Sequence, residues 1–181
     1  MSDLSPASPR RPPLAVRTEL RPGDLGAVVR LHGTAYAREC GFDVTFEAYV
    51  AGPLARFVLS ASPRERLWLA ERTGDLVGCV AVVAASAEAA QLRWFLVDPS
   101  ARRAGLGTAL LAGAVAFARE AAYRSVTLWT VSALGAAARL YRAAGFRLAE
   151  ERPGRRWGVD VVEQRYELAL PAPGEEPQPW P

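Results

Sequence analysis

Two short runs of residues carry the recognisable chemistry of this 181-residue chain. The first is Arg102-Arg103-Ala104-Gly105-Leu106-Gly107-Thr108, which follows an apolar run ending at Val97 and precedes an apolar stretch of helical spacing. A strand that runs through glycines into a helix leaves several backbone N–H groups without partners, all at the positive end of the helix dipole. Phosphate oxygens suit such a place. Gly105 and Gly107 lack the Cβ that would crowd a close diphosphate, and Arg102 and Arg103 add positive charge at the rim. The second run, Leu140-Tyr141-Arg142-Ala143-Ala144-Gly145-Phe146, sets a phenol near the end of a later helix. A tyrosine placed on that helix could reach the far end of the same ligand.

Two other phosphate-binding designs are excluded. A dinucleotide fingerprint needs a third glycine where Leu110 stands and an acid about 20 residues further on, where the chain has Leu128-Trp129. A Walker loop needs a lysine, and there is none: all 22 basic residues are arginine.

The elements that must position these runs follow from hydrophobic spacing. Pro22 and the series Leu25, Val28, Val29, His32 and Tyr36 predict an amphipathic helix ending near Gly41. Asp43 can cap a second helix carrying Phe46, Tyr49, Val50, Leu54, Phe57 and Val58, which Pro53 should kink or divide. Leu67–Glu71 and Leu76–Ala84 predict a hairpin with the four-residue turn Arg72-Thr73-Gly74-Asp75. Then follow a strand at 91–97, a helix at 106–121, a strand at 125–131, a helix at 135–144 stopped by Gly145, a strand at 146–150 and a last strand at about 161–169. Hairpins first and a βαβα segment afterwards imply an α/β (α+β) fold, whose mixed central sheet is antiparallel early and parallel later, with helices on both faces.

Prolines at 6, 9, 12 and 13 and five more in 171–181 predict tails without regular structure at 1–16 and 171–181, around one domain at 17–170. Cys40 and Cys79 are too few for a disulfide framework and suit a reducing interior. His32 is the only histidine, so a zinc site built on several histidines is excluded by counting. The longest uncharged stretch, 104–118, is shorter than the roughly 20 residues of a membrane span and holds three glycines. With no secretory leader at the amino terminus, the expected location is the cytoplasm. A net charge of +3 with scattered arginines gives no stripe for nucleic acid, and no helix-turn-helix is left to read DNA.

Val97-Asp98-Pro99 followed by Arg102-x-x-Gly105-x-Gly107 resembles the acyl-CoA loop of the GNAT N-acetyltransferases, and Ala137-x-x-Leu140-Tyr141-x-x-x-Gly145-Phe146 resembles their carboxy-terminal motif. The resemblance spans roughly residues 15 to 170. Within the superfamily it is nearest to the acetyltransferase half of MarR/GNAT fusion proteins, through Arg30-Leu31-His32-Gly33, Tyr36-Ala37-Arg38-Glu39, Thr127-Leu128-Trp129-Thr130, and Trp157-Gly158-Val159-Asp160 before Gln164.

The resemblance implies acetyl-CoA as cosubstrate and a sheet splayed at its centre between strands 91–97 and 125–131, with the thioester in the gap. Phe95, Leu96 and Val97 would run beside the pantetheine arm. Residues Arg102, Arg103, Ala104, Gly105, Leu106, Gly107 and Thr108 would hold the diphosphate. Tyr141 would protonate the coenzyme A thiolate as it leaves. Two positions depart from the family pattern: Leu134 replaces a common asparagine, leaving Ser132 to supply that coenzyme contact, and Gln91 replaces a common glutamate.

The acceptor implied is a primary amine, of a small molecule rather than a protein, attacking directly in a monomer or homodimer. An alkyl amine of ordinary pKa ~10.4 is almost wholly protonated at pH 7, a penalty of roughly 4–5 kcal/mol, so a base must help. Glu88 and His32 are the candidates, each with a structural alternative as a solvated strand-entry charge and a core imidazole. Strict alternation places Arg93 on one strand face with Gln91, Phe95 and Val97, lining the gap. A buried arginine needs an anion, and the first expectation is a structural partner such as Asp160, the second a substrate carboxylate or phosphate. Trp157, Tyr36 and Tyr49 are either core aromatics or walls of the acceptor pocket. A non-catalytic acyl-CoA sensor is the rival reading, motivated by Gln91 and Leu134.

Overall fold

The structure, a computed structural model, describes residues 13–60 and 62–171. Seven strands form one sheet: β1 (Leu14–Arg17), β2 (Arg66–Arg72), β3 (Asp75–Ala84), β4 (Ala89–Val97), β5 (Ser125–Val131), β6 (Arg147–Arg156) and β7 (Val159–Ala169). Their spatial order is β1-β2-β3-β4-β5-β7-β6. The β4–β5 pair is parallel and the others are antiparallel, so the mixed sheet expected from the element order is present. Helices α1 (Asp24–Cys40) and α2 (Thr45–Ser60) cover one face, and α3 (Leu106–Glu120) and α4 (Gly135–Ala143) cover the other.

The sheet opens where β4 and β5 separate. Their pairing runs only from Ala89↔Ser125 to Leu92↔Leu128, and the strands then diverge. Each continues to pair on its other side, β4 with β3 and β5 with β7, so the gap costs no outer ladder bonds.

Several local expectations change. Ordered structure begins at Leu14, inside the segment 1–16 expected to lack it, because β1 pairs with β2 and Arg17 is held by Asp24 and Glu71, each at 2.6 Å. The tail residues 1–12 and 172–181 lie outside the described residues. Helix α2 runs unbroken through Pro53; a proline removes a single N–H, and the buried Phe46, Val50 and Leu54 on one face hold the helix together. The β2–β3 turn is two residues, Thr73-Gly74, both left-handed with φ 53° and 87°, which matches the strand twist better than a four-residue loop. The same device joins β6 to β7 at Trp157-Gly158, φ 50° and 82°, so β6 extends to Arg156 rather than ending at 150. Pro153 is tolerated in it because β6 is an edge strand.

Candidate active site

Strand β4 contains a bulge. Trp94 has φ 47°, and the β3–β4 register slips between Cys79 and Ala81. Without it, Ala90, Leu92, Trp94 and Leu96 would share a face. Instead Ala90 and Leu92 join the α3/α4 core, while Trp94 and Leu96 turn into the α1/α2 core. Phe95 and Val97 consequently pack toward α3 and α4. The expectation that Arg93 shares a face with Phe95 and Val97 is therefore wrong: Arg93 pairs with Ala81 of the α1/α2 core, and the bulge reverses the alternation just after it. The Trp94 carbonyl accepts from Cys79 Sγ at 3.0 Å.

Beside the bulge, where the strands part, lies a cavity with a volume of about 90 Å³. Its β4 and β5 walls include Gln91, Arg93, Phe95, Trp129 and Thr130. The α1/α2 layer adds His32, Tyr36 and Tyr49, α4 adds Tyr141, the β6–β7 turn adds Trp157, and β7 adds Glu163. Trp157 closes one side by packing against Phe42, Phe46 and Tyr49, with ring centroids 4.7–5.2 Å apart. Its carbonyl accepts from the Asp43 N–H at 3.0 Å, which ties the turn to the loop between α1 and α2. Tyr36 stacks between Phe42 and Phe46 at 5.4 and 4.5 Å. The two alternatives for these aromatics are thus not exclusive: they pack as core and line the cavity.

Tyr141 is 5% exposed, with its ring among Phe95, Phe146 and Tyr166 at 5.7–6.1 Å. Burial holds its hydroxyl well above the ordinary phenol range, and Tyr36 is raised for the same reason. Both stay protonated at any working pH. His32 is 3% exposed, and its Nδ1–H donates to the Val28 carbonyl at 2.9 Å, which leaves Nε2 as the unprotonated nitrogen. Desolvation pushes the imidazole down to about 4.

Glu88 is not part of this site. It is exposed in the turn before β4, at the closed end of the gap, and its carbonyl accepts from Arg124 and Ser125 N–H at 2.7 and 3.3 Å. The carboxylate that does line the cavity is Glu163, held by Arg156 Nε at 2.7 Å. Sequence reasoning missed it because its face depends on the pairing of β7 with Val131, not on any motif. The suggested partner of Arg93 also fails: Asp160 is exposed and faces Arg155 at 3.5 Å. Ser132 is exposed and lines a neighbouring depression with Cys40, Pro153 and Asp160, outside the cavity.

The loop after β4 keeps its expected form. Among the described residues, the N–H groups of Arg103 through Thr108 have no acceptor within the protein; the helix's first backbone bond is Ala109 N–H to the Gly105 carbonyl at 3.0 Å. Gly105 has φ 77°, and a Cβ there would project into open space, the direction left for an anion. Gly107 serves otherwise than expected. A Cβ on it would point inward, 3.4 Å from Leu140 Cδ2 and 3.7 Å from Val97 Cγ2, so it lets α3 approach α4. Arg102 is engaged already, with Nε on the Val97 carbonyl at 2.9 Å and its two terminal nitrogens on the Glu39 carboxylate at 2.6 and 3.1 Å. It spans from the loop to the end of α1.

A splayed mixed sheet, a run of unpartnered N–H groups after β4 and a buried phenol lining the gap are the main features of the site. The chain belongs to the acetyltransferase (GNAT) family, whose model matches residues 32–146. It is 30% identical over 118 residues to an uncharacterised N-acetyltransferase of Schizosaccharomyces pombe, covering 64% of this chain and 72% of the relative. Among solved structures, yncA of Salmonella typhimurium, determined with its cofactor acetyl-CoA, aligns with a TM-score of 0.68 at 18% identity, over 90% of this chain and 96% of that one. A GNAT-family acetyltransferase of Staphylococcus aureus Mu50 aligns with a TM-score of 0.72 at 18% identity, over 88% and 100%. The fold is therefore the GNAT fold.

Proposed function

We propose that this acetyltransferase uses acetyl-CoA to acetylate the primary amine of a small molecule by direct attack. The observation that carries this reading is the joint geometry of the 103–108 N–H cradle and Tyr141, on either side of the split between β4 and β5. Acetyl-CoA, when bound, supplies an activated acyl carbon and a thiolate leaving group. The free N–H groups and the open side of Gly105 fit a diphosphate. Phe95 and Val97 flank the gap at the height of Tyr141, within reach of the extended arm.

The amine nitrogen forms the new C–N bond as the C–S bond breaks. Tyr141 gives its proton to sulfur and regains one from solvent. The proton lost by nitrogen passes to Glu163 or His32 Nε2, the two titratable acceptors lining the cavity. His32 is neutral down to about pH 4, so its Nε2 lone pair is available but weakly basic, and Glu163 offers a carboxylate held in place by Arg156. Cysteine chemistry is not used: Cys79 is fully buried and pushed up to about 12, and Cys40 faces the other depression. The cavity, about 90 Å³ and open on one side, admits the amine-bearing end of an acceptor.

Within the family, the nearest likeness is to the acetyltransferase half of MarR/GNAT fusions, resting on the stretches around Leu31-His32-Gly33 and Trp157-Gly158. The deciding experiment measures free thiol released from acetyl-CoA against amino acids, polyamines, aminoglycosides and peptides. A small amine should turn over; coenzyme binding with no thiol release across the whole panel would favour the non-catalytic sensor instead.

A further inference from the structure

Of the charged side chains that line the cavity, the carboxylate is paired and the guanidinium is not. Glu163 is held by Arg156, Arg165 by Glu150 at 3.0 Å, Arg102 by Glu39, and Asp160 by Arg155. Arg93 lines the cavity half-buried and, among the described residues, makes no ion pair and no hydrogen bond. Its one specific contact is with the face of Trp94, 5.2 Å from guanidinium carbon to ring centroid. That contact replaces only part of the hydration a guanidinium loses on partial burial. A planar fork of donors in an aromatic-walled cavity, whose lining carboxylate Glu163 is already held by Arg156, is complementary to an oxyacid.

We infer that Arg93 selects the acceptor: the substrate is a small amine that also carries an anionic oxyacid group, carboxylate or phosphonate, and Arg93 binds that group. This rests on the acetyl-transfer reading and narrows its substrate class. Polyamines and aminoglycosides, which carry no anion, would leave the guanidinium unpaired and add like charge beside it.

The test uses matched acceptor pairs: amino acids and aminoalkyl phosphonates against their neutral amides or esters, assayed by thiol release and, in parallel, by calorimetric binding in the presence of coenzyme A. The wild-type protein should prefer the anionic member of at least one pair by about 10- to 100-fold, the range of a charge-assisted hydrogen-bonded pair. In Arg93→Gln that ratio should collapse towards one, and Arg93→Lys should keep part of it, with melting temperatures reporting that both variants fold. The inference is overturned if the neutral members are favoured, if no anionic amine binds, or if Arg93→Gln preserves the wild-type ratio. Charge-selective binding without thiol release would instead remove the acetyl-transfer reading and leave the assignment of Arg93 standing.

Discussion

The two halves of the site are built on different principles. The anion cradle is one continuous segment, Arg103 to Thr108, and its working parts are main-chain N–H groups that any residue of permissive conformation would present. The acceptor wall is assembled from α1, α2, β4, β5, β7, α4 and the β6–β7 turn, and its working parts are side chains. A backbone site is fixed by local chain geometry and tolerates exchange of side chains; a side-chain site depends on register, bulges and packing far along the chain. The first half fits a constant ligand. The second can be altered one residue at a time, and the proposed acceptor choice is assigned to it.

The sharpest break in this comparison is at Tyr141, the side chain assigned to the leaving group. Tyr141→Phe should lower turnover by about 100-fold or more while acetyl-CoA affinity, measured by calorimetry, stays within about twofold. An unchanged rate would take the phenol out of the mechanism.

His32 tests the acceptor half through stability. Its imidazole is at about 4 when folded and 6.5 when free, so the unfolded chain takes up the proton first as pH falls. Stability is full above about pH 6.5 and is lost as pH drops towards 4, by about 3 kcal/mol from this residue. His32→Gln should flatten denaturant midpoints plotted between pH 7 and 4. A slope that survives the substitution would mean that other groups dominate acid unfolding.

In the cradle, glycine substitutions separate conformation from packing. Gly105→Ala puts a Cβ on a left-handed residue and into the anion's space, and should weaken acetyl-CoA binding by about 10-fold. Gly107→Ala meets only Leu140 and Val97 at ordinary contact distance and should bind acetyl-CoA within about threefold of wild type. Equal losses at both positions would contradict the different directions the two Cβ atoms take.

The smallest effect expected is at the link between the halves. Glu39 competes with a diphosphate for Arg102, in a pair partly open to solvent. Glu39→Gln should tighten acetyl-CoA by about two- to fivefold at low salt, with the difference fading at high salt. Weaker binding instead would mean that Glu39 positions Arg102 for the ligand.

Much of this molecule is legible from local rules. The helices at 24–40 and 106–120, the paired termini of the 125–131 strand, the Gly145 stop and the anion loop all follow from spacing and turn chemistry. The errors have a common source. Arg93 was placed on the wrong side of Phe95 because alternation cannot register a bulge, and that bulge is visible only in the slip against β3. Glu88 is the carboxylate that local reading singles out, because it lies just before a recognisable strand, yet it sits at the closed end of the gap, while Glu163, which that reading misses, reaches the cavity from two strands away. Pro53 was given a helix break that tertiary burial overrides.

By itself the sequence determined the order of the elements, the glycine loop with its unpartnered N–H groups and a phenol on the helix after β5, because each depends on residues within a turn or two of one another. Tertiary structure decided which carboxylate enters the cavity, that Arg93 makes no ion pair among the described residues, and that Trp157 closes the wall. These are facts of strand register and long-range packing, in which one slipped residue moves a side chain to the opposite face of the sheet.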